Sequence, residues 1–517
     1  MEASRGGGAW QAVAAAVAGF LAEAVVAAVP GSPLQPILAP GAEPGGPFVR
    51  VAEAIGLDRL GGALPIASVL GVAAGMAGFL VLLRAAWRGE ITMRVALGLS
   101  VALHVAIVLL PLLISRDVYS YIAHGQIVSV HQANPYVQTP ADFPSDLTRE
   151  LVGPRWVDTP SVYGPLFSHL AGVVTRTSAR LDVLVDAFRL IAIAASLATT
   201  FVIAVVARRV RPSRAVFAVA AYGLNPVVLF QSAGSGHNDL LVALAIAVAA
   251  WCVIRDRTLW AVGVLTCGAL IKATAFLPLL LLVVWVAWRR SPSERIRAGA
   301  AHAGVALAIV AVVAGPFIQS HDPTLGMLEL SAHEGWLAPS RFFRRVLDAI
   351  SGDTLGVVAR LAFALALVVA VLWLMRAVAR AAASGRAAPE LLGGWGWSLL
   401  VLTLLGPVLL PWYLAWSLPL IWILPRTPRV SLIVLSGVLA LSQWTAEPLR
   451  FPEAYDVNVL IGHYALTPIV IGLVVWLGLD LRRRLTIPLA LHGEDERDAA
   501  EARQSRGDER DGKPLQP

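Results

Sequence analysis

The chain is poor in charge. Only 15% of its 517 residues are Asp, Glu, Lys or Arg, and 57% are hydrophobic. A soluble globule carries about 25% charge and needs that polar surface to face water, so the water-soluble class is excluded. Lysine is almost missing: of 41 basic residues only Lys272 and Lys513 are lysines. Cysteine is scarce too, and Cys252 and Cys267 both fall in apolar stretches, which excludes a disulfide framework. There is no phosphate-cradling GxxxxGK[ST] and no dinucleotide fingerprint, so ATP-driven and NAD-dependent chemistry has no support. No histidine or cysteine spacing closes a metal ligand set, and none is expected. The alternating segments of a transmembrane barrel are missing as well.

What the chain has instead is long apolar blocks and a mean hydropathy of +0.70. Runs of roughly 17–25 apolar residues read as helices that satisfy their own backbone in lipid. They occur at about 10–30, 63–86, 93–114, 183–206, 215–232, 239–254, 258–271, 274–288, 299–318, 357–377, 393–411, 413–425, 430–446 and 463–480. The expected fold is therefore all-α, a polytopic bundle of about 13–14 spans, in which 258–288 and 393–425 could be broken helices. Three regions are expected: a helix pair over 1–92, a membrane unit over 93–484, and a disordered tail of mixed charge over 485–517. The net charge of +7 reflects short arginine clusters between the blocks. They fall in alternate loops, so they read as topology signals rather than as a nucleic-acid-binding face. Placing them all in the cytoplasm puts both termini there and turns the loops at 115–182 and 319–356 outward, across a plasma membrane. A connector of nearly seventy residues should hold surface helices of its own.

The titratable residues crowd that outer side. Helical spacing puts Asp117, Tyr121 and His124 on one face, as expected of a general base that activates a hydroxyl; a solvated acid at a helix end is the plainer alternative. Tyr163-Gly164-Pro165 forms a tight turn. In GSGHNDLL, His237, Asn238 and Asp239 open a helix; a simple cap would explain one of them, while three exceed what a cap requires. Lys272 is a cation inside an apolar run, which is costly and marks a candidate site unless it snorkels to the interface. Arg341, Arg344 and Arg345 lie on the side where positive charge is otherwise avoided, which suggests an anionic ligand such as a phosphate. Trp412, Tyr413 and Trp416 are aromatic groups for an interface or for stacking on a sugar ring.

Taken together, Arg116-Asp117-Val118-Tyr119-Ser120-Tyr121, Asn134-Pro135-Tyr136, Tyr163-Gly164-Pro165, Gly236-His237-Asn238-Asp239, Lys272 and Pro411-Trp412-Tyr413 carry a resemblance. Their order and spacing resemble the GT-C class of integral-membrane glycosyltransferases. More narrowly, they resemble the polyprenol-phosphomannose-dependent alpha-1,6-mannosyltransferases of actinobacterial lipoglycans. The resemblance implies a lipid-linked sugar donor, a mannan or lipoglycan acceptor, membrane lipid as surroundings, and no further cofactor. It makes Asp117 the catalytic carboxylate and inversion the stereochemical outcome. Lys272, Arg341, Arg344 and His237 would then receive the donor phosphate, while Tyr121, His124, Tyr163, Asn238, Asp239, Trp412 and Tyr413 would contact sugar. Arabinose or glucose on the same carrier fits the residues as well as mannose. A transporter or flippase is the alternative from another class, and a scaffold of an envelope complex a third.

Overall fold

The computed structural model describes residues 2–483, apart from 319–321, 323, 329–332, 336, 353–354 and 447; the expected tail over 485–517 lies outside the described residues. The chain is 73% helical, with no strand among the described residues. The helices are α1 (Glu2–Ala28), α2 (Pro47–Ala54), α3 (Leu64–Trp87), α4 (Met93–Val108), α5 (Asp117–Ser129), α6 (Thr148–Leu151), α7 (Pro165–Thr175), α8 (Leu181–Val210), α9 (Ala215–Gly223) and α10 (Asp239–Ile254). They continue as α11 (Thr258–Ala269), α12 (Phe276–Trp288), α13 (Arg295–Ala314), α14 (Pro339–Ser351), α15 (Gly356–Ala383), α16 (Pro389–Leu405), α17 (Leu414–Ser417), α18 (Arg426–Ala440), α19 (Pro452–Ile461) and α20 (Thr467–Arg483).

Seven helical stretches among the described residues are long and apolar enough to cross a membrane: Gly8–Ala28, Gly61–Trp87, Leu181–Val210, Pro212–Ala233, Arg295–Phe317, Gly356–Ala383 and Pro452–Arg482. Six shorter apolar helices accompany them. This is a multi-pass membrane protein. Burial sorts the long helices by place. The apolar window of Pro212–Ala233 is 94% buried, whereas those of Arg295–Phe317 and Gly356–Ala383 are 11% and 17% buried. The first is the axis of the bundle, and the other two turn their apolar side chains outward, as lipid-facing helices do.

Close backbone approach ties the first two long helices together. A Cβ on Gly78 would stand 2.3 Å from the Ala15 carbonyl oxygen, and one on Gly19 would stand 2.4 Å from that of Ala74. Without lipid-facing hydrophobic drive, such small-residue contacts supply the dispersion that holds membrane helices side by side.

Two of the apolar runs are interrupted. Between α11 and α12 the chain leaves helical geometry at Lys272, which is extended at φ −153°. From Gly406 to Pro425 it forms only short turns around α17, yet Trp412 to Leu424 is buried almost throughout. Non-helical backbone at this depth survives only inside protein or along a cavity. A π-helical stretch at Val227–Ala233 adds a third irregularity just before Gly234, a feature often found beside functional sites. The three interruptions meet at one place.

Candidate active site

The first wall of the site is the turn from α4 into α5. Ile114 adopts φ 58°, a left-handed conformation that is strained for a β-branched residue. It is held there by its N–H, which donates to the Leu34 carbonyl at 2.8 Å. α5 then starts at Asp117, so the carboxylate occupies the first turn, where the helix dipole favours an anion. The Ser115 hydroxyl donates to Asp117 Oδ1 at 3.0 Å and accepts from the Asp117 backbone N–H at 3.1 Å. Tyr119 of the same helix is pinned by the loop after α1: its hydroxyl donates to Ile37 O and accepts from Ala39 N.

The second wall is the loop from Gly234 to Asn238. Gly236 takes φ +71°, which only glycine adopts at little cost, and the turn swings His237 toward Asp117. His237 Nδ1 lies 3.4 Å from Asp117 Oδ2. The imidazole is fully buried and stacks on Trp412, with ring centroids 3.8 Å apart and planes at 19°. Among the described residues neither ring nitrogen has a hydrogen-bond partner, and neither has the side-chain amide of Asn238. Asn238 precedes α10 without a side-chain cap bond, so the capping alternative is not realised.

The third wall comes from the two broken segments. Lys272 Nζ donates to Asp239 Oδ1 at 2.8 Å, and Trp416 Nε1 donates to the same oxygen at 2.8 Å. The ammonium group lies 4.7 Å from the centre of the Tyr413 ring and 5.4 Å from that of Trp416, and those two rings stack on each other at 4.2 Å. Aromatic faces attract a desolvated cation, so Lys272 is aimed by its surroundings and does not snorkel. Asp239 Oδ2 is buried and has no partner among the described residues.

Asp117 is ionised more readily than an ordinary carboxyl. Burial opposes its charge, but the His237 contact and the positive charge of Lys272, with the Ser115 hydroxyl, outweigh it and hold the group below its usual range. Its side chain keeps 35% of its surface open, unlike His237 and Asp239. The one accessible carboxylate of the group therefore faces free space.

Lys272, Tyr413 and Trp416 close one end of a cavity of about 620 Å³. The remainder of its wall is nearly all carbon, from Leu270, Phe276, Leu279, Leu307, Leu402 and Val408 among others. Phe276 and Leu307 are 56% and 67% exposed on the outer surface of the bundle, so the apolar cavity reaches a lipid-facing flank.

The structure thus brings together Asp117, His237, Asp239, Lys272, Trp412, Tyr413 and Trp416. Tyr121 and Tyr163 stand directly behind them: the Tyr121 hydroxyl accepts the Asn238 N–H at 3.3 Å, and the two tyrosine rings meet edge to face at 4.8 Å. His124 lies one turn further on and is held by the Ser120 carbonyl, its Nε2 3.4 Å from Thr159 O. Arg341 and Arg344 do not join this group. Arg344 pairs with Glu334 and Asp348, and Arg341 donates to the Glu334 carbonyl.

Residues 16–289 match the profile of a family described as alpha-(1->6)-mannopyranosyltransferase, N-terminal domain. The chain belongs to this mannosyltransferase family. Of the family's curated members, alpha-(1->6)-mannopyranosyltransferase A of Mycobacterium tuberculosis is 27% identical over 406 residues, which cover 75% of this chain and 76% of that protein. Form A of Corynebacterium glutamicum is 27% identical over 177 residues, covering 34% of this chain and 35% of its own length. Form B of the same organism is 26% identical over 401 residues, covering 68% of this chain and 65% of its own. No solved structure matches the chain. The stretch that defines the family begins inside α1 and contains Asp117, His237, Asp239 and Lys272, while Trp412, Tyr413 and the arginines of α14 come after it.

One further residue supports the candidate site without appearing among the expected ones. Arg189 of α8 is buried and donates to the carbonyls of Gly234, Ile107 and Leu110 and to Asp186. It joins the end of α4 to the His237 loop. The signal was in the sequence: Arg189 is a cation inside the 183–206 run, the same anomaly that marks Lys272.

Proposed function

We propose that this chain transfers a mannosyl residue from a polyprenyl-phosphate donor to a mannan or lipoglycan acceptor, forms an alpha-1,6 linkage with inversion, and does so on the outer face of the plasma membrane with both termini inside. The observation that carries this reading is the junction of two unlike environments. A carbon-walled cavity reaching the lipid-facing flank ends at Lys272, and an open carboxylate, Asp117, stands within the same charge cluster. A polyprenyl chain suits the first, and its sugar phosphate suits the second.

In this mechanism Asp117 accepts the proton of the acceptor hydroxyl as that oxygen bonds to the anomeric carbon from the side opposite the phosphate. The bond between the anomeric carbon and the phosphate oxygen breaks in the same displacement, and the electron pair leaves with polyprenyl phosphate. Lys272 receives that anion, and its fixed position over Tyr413 and Trp416 means that little reorganisation is needed as charge develops. His237, buried against Trp412 beside the carboxylate, acts through Asp117. Asp239 and Asn238, expected to contact sugar, are instead buried; Asp239 acts by fixing Lys272 and Trp416, and Trp412 screens the imidazole from water.

The test is transfer by purified protein in vesicles supplied with labelled polyprenyl-phosphate mannose, arabinose or glucose, with linkage analysis of the product. Mannose in a new alpha-1,6 linkage is the expected result. Asp117→Asn should lower the rate by about a hundredfold to ten-thousandfold, the scale of a lost general base, with an unchanged thermal midpoint. Transfer should persist in EDTA, since Lys272 takes the role a divalent ion would otherwise have. Normal product from the Asn variant would remove Asp117 from the mechanism.

A further inference from the structure

A second concentration of positive charge lies on α14 and the loops beside it. α14 is amphipathic: Phe343, Val346 and Ile350 recur on one stripe and are 39%, 42% and 77% exposed. An apolar stripe left uncovered beside a membrane bundle places such a helix in the interface, at the depth of lipid headgroups. Its polar side carries Arg341, Arg344 and Arg345.

These guanidinium groups have too few acids. Arg344 donates to both Glu334 and Asp348, and Arg360 lies 3.8 Å from the other oxygen of Glu334. Those two carboxylates are thereby occupied. Arg345 contacts the Nε2 of His463 rather than a carboxylate. Among the described residues, Arg341 donates to a single backbone carbonyl, that of Glu334 at 3.2 Å, while its Nε is buried with no partner. Burial and the facing charges of Arg345, Arg344 and Arg155 push Arg341 below the usual arginine range. A buried donor without an acceptor, ringed by like charge, calls for an anion.

The cluster is separate from the Lys272 centre. Among the described residues, the charges that face Arg341 are Arg345, Arg344, Glu334 and Arg155, and those that face Asp117 are His237 and Lys272. The two regions meet where Gly335 N donates to the Pro407 carbonyl at 2.9 Å, and Pro407 and Val408 line the apolar cavity. The arginines therefore stand one layer outside the rim of that cavity, next to Trp156, whose ring meets His333 at 5.4 Å.

We propose that Arg155, Arg341 and Arg345 form a second phosphate site, occupied by the headgroup phosphate of an anionic phospholipid of the surrounding bilayer. The interfacial setting of α14 supplies the source, since headgroup phosphates are the anions concentrated at that depth, and the bidentate fork of arginine supplies the fit. The bound lipid braces the α14 segment against the 406–410 segment and so shapes the rim through which a donor chain enters. Occupancy of the site does not depend on the proposed transfer reaction; only this consequence for the rim rests on the reading given above.

The experiment uses the full chain purified in detergent and then reconstituted in vesicles of phosphatidylcholine alone or of phosphatidylcholine with phosphatidylglycerol. Mass spectrometry should find phosphatidylglycerol retained by the wild type, and Arg341→Gln/Arg345→Gln should retain about tenfold less, the effect of losing charge-assisted contacts. Transfer by the wild type should rise when phosphatidylglycerol is added, and the double variant should lose that response. Arg341→Lys/Arg345→Lys keeps the charge and should restore part of the retention, which separates a lost site from a misfolded protein. Equal phosphatidylglycerol in wild type and the Gln variant would overturn the proposal. So would a raised donor KM in the Gln variant on both vesicle types, since that would return these arginines to the donor phosphate. Retention without any transfer activity would leave the lipid site standing and count only against the proposed reaction.

Discussion

Asp117 and His237 are worth considering as a pair because only one of them can meet substrate. The carboxylate is open and the imidazole is buried against Trp412. His237 therefore acts on the acceptor through Asp117, by favouring its ionised form. The sign of the effect follows. With the imidazole in place, burial is outweighed and Asp117 stays ionised below the usual carboxylate range; the base is lost only as pH falls through that lowered value. In His237→Gln, burial is less opposed, the carboxyl titrates higher, and the acid limb of the kcat/KM profile should move to higher pH. Ser115, Lys272 and the nearby Tyr121, Tyr163 and Tyr413 are unchanged by that substitution, so the shift reports the imidazole. An acid limb that stays in place would show that His237 does not set the base. The reverse substitution, at Lys272, bears on the leaving group: Lys272→Met leaves Asp239 buried without its cation, and donor use should fall more than acceptor use.

At the scale of elements, the site depends on how α4, α8 and the π-helical stretch meet, and Arg189 is the joint. Three carbonyl groups and Asp186 share its guanidinium. Arg189→Met removes all of these donors from a buried position, and each orphaned acceptor costs about 1–3 kcal/mol. The thermal midpoint should fall. Arg189→Lys keeps the charge but lacks the fork, so it can serve fewer carbonyls. In that variant kcat should drop by about tenfold with donor KM little changed, because the His237 loop loses register with Asp117 while the cavity is untouched. A variant with wild-type kcat and a lowered midpoint would make Arg189 a structural residue alone. Legibility was uneven at this scale. That 258–288 and 393–425 could be broken helices follows from their length and interruptions, whereas the start of α5 at Asp117 does not, since the apolar run over 93–114 leads straight into it. Nor does the π-helical stretch, since a single extra residue in a helical turn leaves no trace in hydrophobic spacing.

For the molecule as a whole, the apolar cavity and the membrane define what can reach the site. Ala306 lines the cavity from α13. Ala306→Trp should fill part of it and raise the KM for a long-chain polyprenyl donor by about tenfold, with a smaller effect on a donor of truncated lipid chain; equal effects on both would place the donor chain elsewhere. Orientation is tested independently. Asp158 is an exposed residue of the long loop between α5 and α7, and a cysteine placed there should react with an impermeant maleimide added to intact cells. Protection until the cells are opened would put the site on the inner side. Cys252 and Cys267, the native thiols, are respectively buried and half-buried, so the background is low.

The membrane class, the helical fold and the anomalous residues were set by composition and local order alone. Apolar runs must become helices in lipid because the backbone has no other partner there, and a lysine or acid among them stands out without any knowledge of its neighbours. The partnerships were decided by tertiary structure. Asp117 meets His237 across more than a hundred residues, and Lys272 and Trp416, far apart from each other in the chain, converge on the same oxygen of Asp239. Arg341 and Arg344 resemble Lys272 in sequence, as positive charges in an unexpected place, yet folding gave them other partners. Which buried charge faces which is fixed by long-range packing of helices, and no local periodicity encodes that.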